Sequence, residues 1–370
     1  MPEIFETSSL GPQALQNRTV RSATWEGLAD KNGFVRPELV EMMGELARNS
    51  VGLIIPGYFY VARDGRGLPW QAGVWDDAHM EGLIRICEAV HREGGVVMAQ
   101  IAHAGGRTRP ELIDGRTPMA PSAVEGFSFG KTPREMTLKE IRTVVSSFAQ
   151  AARRVKDAGF DGVQLHGAHN YLISQFLNPL VNRRQDQYGG SSGKRSRFLL
   201  EVYDGVREAV GEKYPLMIKI NSTDGPEGGI TPNEALRVVS ALADRGLDAV
   251  EISGGMAGSD RYRPSRKGIN NTSQEAYFRS AANLLKQQLD IPVILVGGIK
   301  SHEIAQDIIN SGDADYLSFS RALICEPHLI SRWGRGDLTR SRCTSCNLCL
   351  GEGLKGSGIS CVEMDRRKNR

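Results

Sequence analysis

Phe160-Asp161-Gly162-Val163-Gln164-Leu165-His166-Gly167-Ala168-His169-Asn170-Tyr171 is the stretch on which the rest of the chain is organised. Its first six residues are short, apolar and β-prone, and they follow a helical run, so they read as a strand. Three proton-active side chains then arrive together: His166, His169 three residues on, and Tyr171 two further. Along a strand side chains alternate between faces, but at its end they can converge on a cleft. Two imidazoles and a phenol there suit gripping an electron-poor oxygen and delivering a proton. A lone histidine in such a turn is ordinarily a partner for backbone; the cluster is what points to chemistry.

Outward from this strand, apolar β-type runs alternate with helical patterns. Strands are predicted over 18–23, 52–56, 96–101, 159–165, 216–220, 249–253, 293–296 and 316–319, mostly as continuous apolar runs, as for parallel strands covered on both faces. Thr137-Leu-Lys-Glu140 is a capping box, and Thr231-Pro-Asn-Glu234 adds proline at the first helical position. Further helices are predicted over 38–48, 78–93, 197–210, 274–288 and 302–309, with Ser301 as cap of the last and Gly246 and Gly312 as helix stops. Eight strand-then-helix units predict an α/β fold, a (β/α)8 barrel, against a doubly wound open sheet as competitor. The barrel spans residues 1–335, and a short cysteine-rich extension occupies 336–370.

A chain of 370 residues with 42 glycines and 40% hydrophobic residues suits a globular α/β enzyme. A net charge of +3 makes no case for nucleic acid or membrane binding, and the basic end, 365–370, reads as a solvated tail. No apolar run approaches membrane-spanning length and the N-terminus lacks the regions of a secretory signal, so a cytoplasmic location is expected.

In a barrel the chemistry sits at the C-terminal strand ends. Ala23-Thr24-Trp25 follow the first strand and Gly57 the second; Gln100 is near the end of the third and Lys219 lies in the fifth. Gly254-Gly255 follow the sixth, Gly297-Gly298 the seventh and Ser320-Arg321 the eighth. Glycines after the sixth and seventh strands let backbone N–H groups approach a ligand, and Arg321 offers a fork for phosphate. A phosphorylated ligand over the barrel mouth follows, with Lys219 and Gln100 beneath it. Loops 62–75, 103–131 and 254–271 are long enough to be functional.

At this point the residues resemble the old yellow enzyme family of FMN-dependent oxidoreductases over about residues 10–335. The resemblance rests on His166-Gly-Ala-His169-Asn-Tyr171-Leu, Gln175-Phe-Leu-Asn-Pro179 and Asn182-Arg-Arg-Gln-Asp-Gln-Tyr-Gly-Gly190-Ser. Asn17-Arg18, Gln100-Ile-Ala-His-Ala-Gly105, Ser253-Gly-Gly255 and Val296-Gly-Gly298 support it. It implies FMN at the barrel top, among Ala23, Thr24, Trp25, Gly57 and Gly255. Gln100 would bond the pyrimidine, Lys219 would stand beside N1, and Gly297, Gly298, Ser320 and Arg321 would hold the phosphate. His166 and His169 would grip a carbonyl or nitro oxygen, and Tyr171 would be the proton donor. The implied cycle takes hydride from NAD(P)H to flavin and then to the β-carbon of an activated alkene (enone, enal or nitroalkene), with Tyr171 protonating the α-carbon. Trp25, Ser320 and Asn170 depart from the residues usual in the family.

Cys343-Thr-Ser-Cys346-Asn-Leu-Cys349 and Cys361 give C-x2-C-x2-C-x11-C, a spacing that can wrap a [4Fe–4S] cluster. It resembles the motif of trimethylamine dehydrogenase and 2,4-dienoyl-CoA reductase; structural zinc or an unliganded tail are the competitors. Cys87 and Cys325 read as isolated core residues. Gly351-Glu-Gly353-Leu-Lys-Gly356 is a literal GxGxxG but neither follows a strand nor opens a helix, so it reads as a flexible loop. The alternative function is an iron–sulfur flavoprotein of the dienoyl-CoA reductase or amine dehydrogenase type that exchanges electrons with a separate redox partner. A sugar-phosphate aldolase with Lys219 as Schiff-base nucleophile is a third reading. Candidate partners are a small-molecule substrate, a second copy in a homo-oligomer and that redox partner.

Overall fold

The structure, a computed structural model, describes residues 3–368 except 127, 128, 130, 257, 258 and 260. Met1, Pro2 and the last two residues of the basic end therefore lie outside the described residues, as do parts of the loops after the third and sixth strands. Eight parallel strands close on themselves: β1 (Thr19–Arg21), β2 (Leu53–Ile54), β3 (Val96–Ala102), β4 (Gly162–Gly167), β5 (Leu216–Asn221), β6 (Ala249–Ser253), β7 (Val293–Val296) and β8 (Tyr316–Phe319). Each pairs with its neighbour in sequence, and β8 pairs with β1 to complete the ring. The open-sheet competitor is thereby removed.

Around the ring run α1 (Pro37–Arg48), α2 (Met80–Arg92), α3 (Leu138–Asp157), α4 (Ser192–Val210), α5 (Pro232–Ala243), α6 (Arg279–Lys286), α7 (His302–Asn310) and α8 (Leu329–Gly334). Both capping boxes form, at Thr137/Glu140 and Thr231/Glu234. Ser301 does not cap α7: its hydroxyl donates to Glu275 Oε1 at 2.8 Å instead, because that carboxylate also draws the backbone N–H groups of Lys300 and Ser301. The helix predicted over 274–288 is shorter, since Ala276 takes φ +51 and breaks the chain before α6.

The strands carry two different faces. Val163, Leu165, Ile218, Ile220, Val250 and Ile252 point to the helices and join the large outer core. The alternate positions point inward and stack in layers. Low in the barrel the layer is apolar, with Met98, Met217, Ala249, Ile294 and Tyr316, and an antiparallel hairpin (Ser8–Leu10 with Gln13–Leu15) plugs it with Leu10 and Leu15. That hairpin is absent from the sequence reading. The next layer is polar: Gln100, Gln164, Lys219, Glu251 and Ser318, all buried. Among the described residues no helix is long and apolar enough to cross a membrane.

Candidate functional site

A cavity of about 510 Å³ opens over this polar layer at the C-terminal strand ends. One wall is built by the turn after β4. His169 and Asn170 both take left-handed backbone, at φ +61 and +62. Non-glycine residues adopt this rarely and at some cost, so the turn needs outside support. Asn221 Oδ1 supplies it by accepting the His169 N–H at 3.2 Å; its Nδ2 donates to Asp224 at 2.8 Å and to the Gly255 carbonyl at 2.9 Å. The turn brings the three predicted side chains together: ring centroids are 5.3 Å apart for His166–His169 and 4.6 Å for His166–Tyr171.

His169 and Tyr171 line the cavity; His166 does not, and lies between Tyr58, at 5.2 Å, and Tyr171. His169 Nε2 meets Ser253 Oγ at 2.8 Å, while His166 Nδ1 is buried with no hydrogen-bond partner. Burial and then nearby positive charge, Lys219 for both and also Arg107 for His169, push both imidazoles well below the usual histidine value. Both are neutral at pH 7 and act as hydrogen-bonding groups rather than cations. Tyr171 donates its hydroxyl to Tyr58 Oη at 2.8 Å. Burial raises the Tyr171 phenol against the opposing pull of Arg107, so it holds its proton at neutral pH.

Under the cavity, Lys219 Nζ donates to Ser22 Oγ at 2.6 Å and pairs with Glu251 Oε1 at 3.0 Å. Glu251 also accepts from the hydroxyls of Ser22 and Ser318 and from Gln164 Nε2, and Gln164 accepts from Gln100 Nε2 at 2.6 Å. On the β7–β8 side, Gly298 at φ +76 leaves space that a Cβ would close, within 2.8 Å of Tyr277 Cε1. Lys300 and Arg321 stand beside it. Lys300 Nζ donates to the carbonyls of Ile269 and Cys343, and Arg321 Nη1 to the Arg266 carbonyl at 2.8 Å and to Asn347 Oδ1 at 2.7 Å. Arg107, Lys219, Arg263, Lys300 and Arg321 line the cavity, whereas none of its described lining residues is a carboxylate. The site is built for an anion lying against apolar walls.

The model of the NADH:flavin oxidoreductase / NADH oxidase family matches residues 3–337. The chain belongs to this family. It is 37% identical to the NADH oxidase of Thermoanaerobacter brockii over 355 residues, which are 95% of this chain and 54% of that protein. Among solved structures it is similar to 2-naphthoyl-CoA reductase (TM-score 0.88, 26% identity, 97% of this chain and 56% of that one). It is likewise similar to morphinone reductase (TM-score 0.78, 29% identity, 93% and 94%). The chain spans about half the length of the first curated relatives it matches. As a member of the NADH:flavin oxidoreductase family it is a flavin oxidoreductase barrel, with FMN as its cofactor. The residues present fit FMN. The cavity pairs an apolar wall containing Ala23, Trp25 and Phe319 with a cationic end at Lys300 and Arg321, and the missing Cβ of Gly298 leaves backbone open to a phosphate.

Of the residues expected around FMN, Ala23, Thr24, Trp25, Lys219, Gly298, Ser320 and Arg321 line the cavity. Gly57, Gln100, Gly255 and Gly297 do not. The Gly57 N–H donates to Glu26 Oε1 at 2.6 Å, and Gln100 belongs to the buried network. Ser320 Oγ meets Thr24 Oγ1 at 2.7 Å, and the Trp25 indole donates to the Pro69 carbonyl at 3.1 Å. Tyr58, Arg107 and Glu251 are additions of the structure. Tyr58 follows Gly57 at a predicted strand end, and Glu251 is a carboxylate inside a predicted apolar strand; both signals were in the sequence.

The extension packs back over the barrel. Its glycine run is not a flexible loop: Gly351 and Gly353 lie in α9 (Leu348–Leu354), and a Cβ on Gly353 would come within 2.7 Å of Trp25 Cζ3. Leu350, Leu354 and Cys343 line the cavity. Cys325 is not isolated. Burial and then the charge of its neighbour Cys361 raise its thiol, and Cys343 adds to the effect. Burial and the thiol of Cys343 push Cys349 up to about 11. Cys346 and Cys361 are half-buried. Among the described residues no set of three or more His, Cys, Asp or Glu side chains is gathered to hold a metal ion, so these thiols are not a preformed ligand set.

Proposed function

We propose that the barrel reduces an alkene conjugated to a carbonyl or nitro group. The reading is supported by one observation above all: a protonated phenol, Tyr171, and a neutral imidazole, His169, share one wall of a cationic cavity, with the second neutral imidazole, His166, packed against both just behind that wall. When bound, FMN supplies the hydride chemistry, two electrons at a time, taken from NAD(P)H and passed to the acceptor. The chain does the rest. His166 and His169 hold the acceptor's oxygen by hydrogen bonds, which draws electron density from the alkene and favours attack at the β-carbon. Tyr171 gives its proton to the α-carbon; Tyr58, whose hydroxyl lies 2.8 Å away, turns its own O–H toward the phenolate left behind. Lys219 places positive charge at the cavity floor. Leu350 and Leu354 of the extension add apolar surface to the cavity lining.

The test separates the two half-reactions by anaerobic rapid mixing. Tyr171→Phe should slow acceptor reduction about 10²–10⁴-fold while leaving reduction of the flavin by NAD(P)H nearly intact. Equal loss in both halves would refute the proton-donor role.

A second reading concerns the tail. All four thiols of the C-x2-C-x2-C-x11-C spacing lie on the extension, and Cys349 feels the charge of both Cys343 and Cys346, and Cys343 that of Cys361. This favours a [4Fe–4S] centre on Cys343, Cys346, Cys349 and Cys361, which would hand electrons to a separate redox partner. Ligation would require the thiols to draw closer than they lie here. Iron and acid-labile sulfide near four per chain in anaerobically purified protein are expected on this reading; flavin without either would end it.

A further inference from the structure

The two cations at the β7–β8 end of the cavity are held by groups from outside the barrel strands. Arg321 Nη1 donates to Asn347 Oδ1 at 2.7 Å, to the Arg266 carbonyl at 2.8 Å and to the Ser345 carbonyl at 3.3 Å. Tyr277 lies beside the same guanidinium. Lys300 Nζ donates to the Cys343 carbonyl at 2.8 Å and to that of Ile269. Cys343, Ser345 and Asn347 belong to the extension, and Arg266 and Ile269 to the loop after β6. Asn347 joins the two segments. Its Nδ2 donates to the Ser265 carbonyl at 2.9 Å, and nearby the Gly268 N–H donates to the Ser345 carbonyl at 3.3 Å. With both ends of the amide engaged, it cannot turn over without setting its NH2 against the guanidinium. Ser345 and Asn347 are buried, and both take left-handed backbone, at φ +58 and +66. That conformation is costly for residues other than glycine, and asparagine bears it best among them. A buried segment held in this shape turns its oxygens onto the two cations.

We propose that Asn347 is a positioning residue for the flavin: through Arg321 it sets the fork that receives the FMN phosphate, so that the extension is part of the cofactor site. The inference rests on placing the phosphate at Lys300 and Arg321, and it is independent of which acceptor the barrel reduces. An arginine that is not anchored samples many rotamers, and a ligand that uses it must first order it. Fixing Nη1 removes that cost in advance and directs the rest of the planar fork. Of the three bonds that fix it, the shortest is the one to the Asn347 amide. The competing account is that Asn347 only fastens the extension to the loop after β6. In that case its loss affects a flavin with a phosphate and one without it alike, or affects neither.

The test uses the full chain stripped of flavin and titrated with FMN and with riboflavin, which shares the ring and the ribityl chain but lacks the phosphate. Quenching of flavin fluorescence reads both affinities. Asn347→Gly removes the amide and keeps the left-handed backbone. It should weaken FMN about three- to tenfold and leave riboflavin unchanged. Arg321→Met should weaken FMN selectively and by more. Adding Asn347→Gly to it should then cost nothing further, because the effect of Asn347 runs through Arg321. If the Gly variant does not fold, Asn347→Asp decides by the same ratio: its carboxylate keeps the contact with Arg321 but sets negative charge beside the phosphate, so FMN alone should weaken. If riboflavin binds too weakly to titrate, the double variant decides. Unchanged FMN affinity in Asn347→Gly, equal loss of both flavins, or full additivity with Arg321→Met overturns the inference. An FMN-to-riboflavin ratio unmoved by Arg321→Met places the phosphate elsewhere, and the inference falls with that placement. Neither result touches the alkene-reductase reading.

Discussion

The buried pair beneath the site makes a quantitative prediction. Lys219 and Glu251 are 3% and 0% exposed and 3.0 Å apart. At an effective dielectric constant of about 20 their attraction is about 5–6 kcal/mol, of the same order as the cost of drying the two ions. Burial alone would raise the Glu251 carboxyl, but Lys219 and the hydroxyls of Ser22 and Ser318 outweigh it and hold it below the usual range. Glu251→Gln keeps the shape and one acceptor but leaves the Lys219 ammonium without its counter-ion; the loss should be about 3–5 kcal/mol. Lys219→Met should cost a similar amount. The double variant removes both charges and should cost clearly less than the sum, with a coupling of about 2–4 kcal/mol. The assay is urea unfolding of the flavin-free protein at pH 7, followed by circular dichroism. Because the folded carboxyl titrates below the unfolded one, its contribution is complete above the unfolded value and is lost as pH falls through the folded value. The Glu251→Gln penalty should therefore shrink in acid. Additivity of the two single variants within about 0.5 kcal/mol, or a penalty that does not change with pH, would refute the reasoning.

Asp224 behaves in the opposite sense. Burial, with a smaller push from Glu234, raises its carboxyl to about 6, although Ile230 N–H and Asn221 Nδ2 bond to it. Its contribution is thus present below the unfolded value and lost as pH rises through about 6. Asp224→Asn should gain on the wild type by up to ~3 kcal/mol between pH 4 and pH 7.5, read from urea midpoints; a constant difference would refute it. Gly353→Ala should force α9 off Trp25 at a cost of ~1–3 kcal/mol, making tryptic cleavage at Lys355 about tenfold faster or more; unchanged cleavage would show that the helix gives way freely.

How much of this could be read beforehand depends on which face of a strand one reads. The outer faces are apolar runs bounded by capping boxes, and they disclosed all eight barrel strands to within about two residues at most ends, and the helices between them. The motif after β4 was likewise legible as a cluster, because three proton-active side chains inside six residues at a strand end are brought together by the turn that follows. The inner faces were harder. Gln164, Lys219 and Glu251 each interrupt an apolar strand at every second position, and only closure of the ring brings them into one layer. Periodicity could mark each as inward-facing but could not pair Lys219 with Glu251, because that pairing belongs to the register between β5 and β6. Arg107 was out of reach for a different reason. It sits in a long loop with no period, and it acquires meaning only through Tyr171, more than sixty residues away.

The tail shows the limit from the other side. Its cysteine spacing was read as a metal motif and its glycines as a loop, both from local pattern. The glycine reading failed because the demand on Gly353 comes from Trp25, across the barrel mouth. Cys325 was taken as inert because no cysteine is near it in sequence, yet Cys361 touches it in space. Local pattern thus marks where a chain is unusual, but what an unusual residue does is decided by the partner the fold brings to it. The partner is also the part that substitution can test. Removing Trp25's bulk should release the constraint at Gly353, so Trp25→Leu should abolish most of the penalty of Gly353→Ala in the same proteolysis assay. Undiminished penalty in the double variant would place the cause of that glycine somewhere other than the indole.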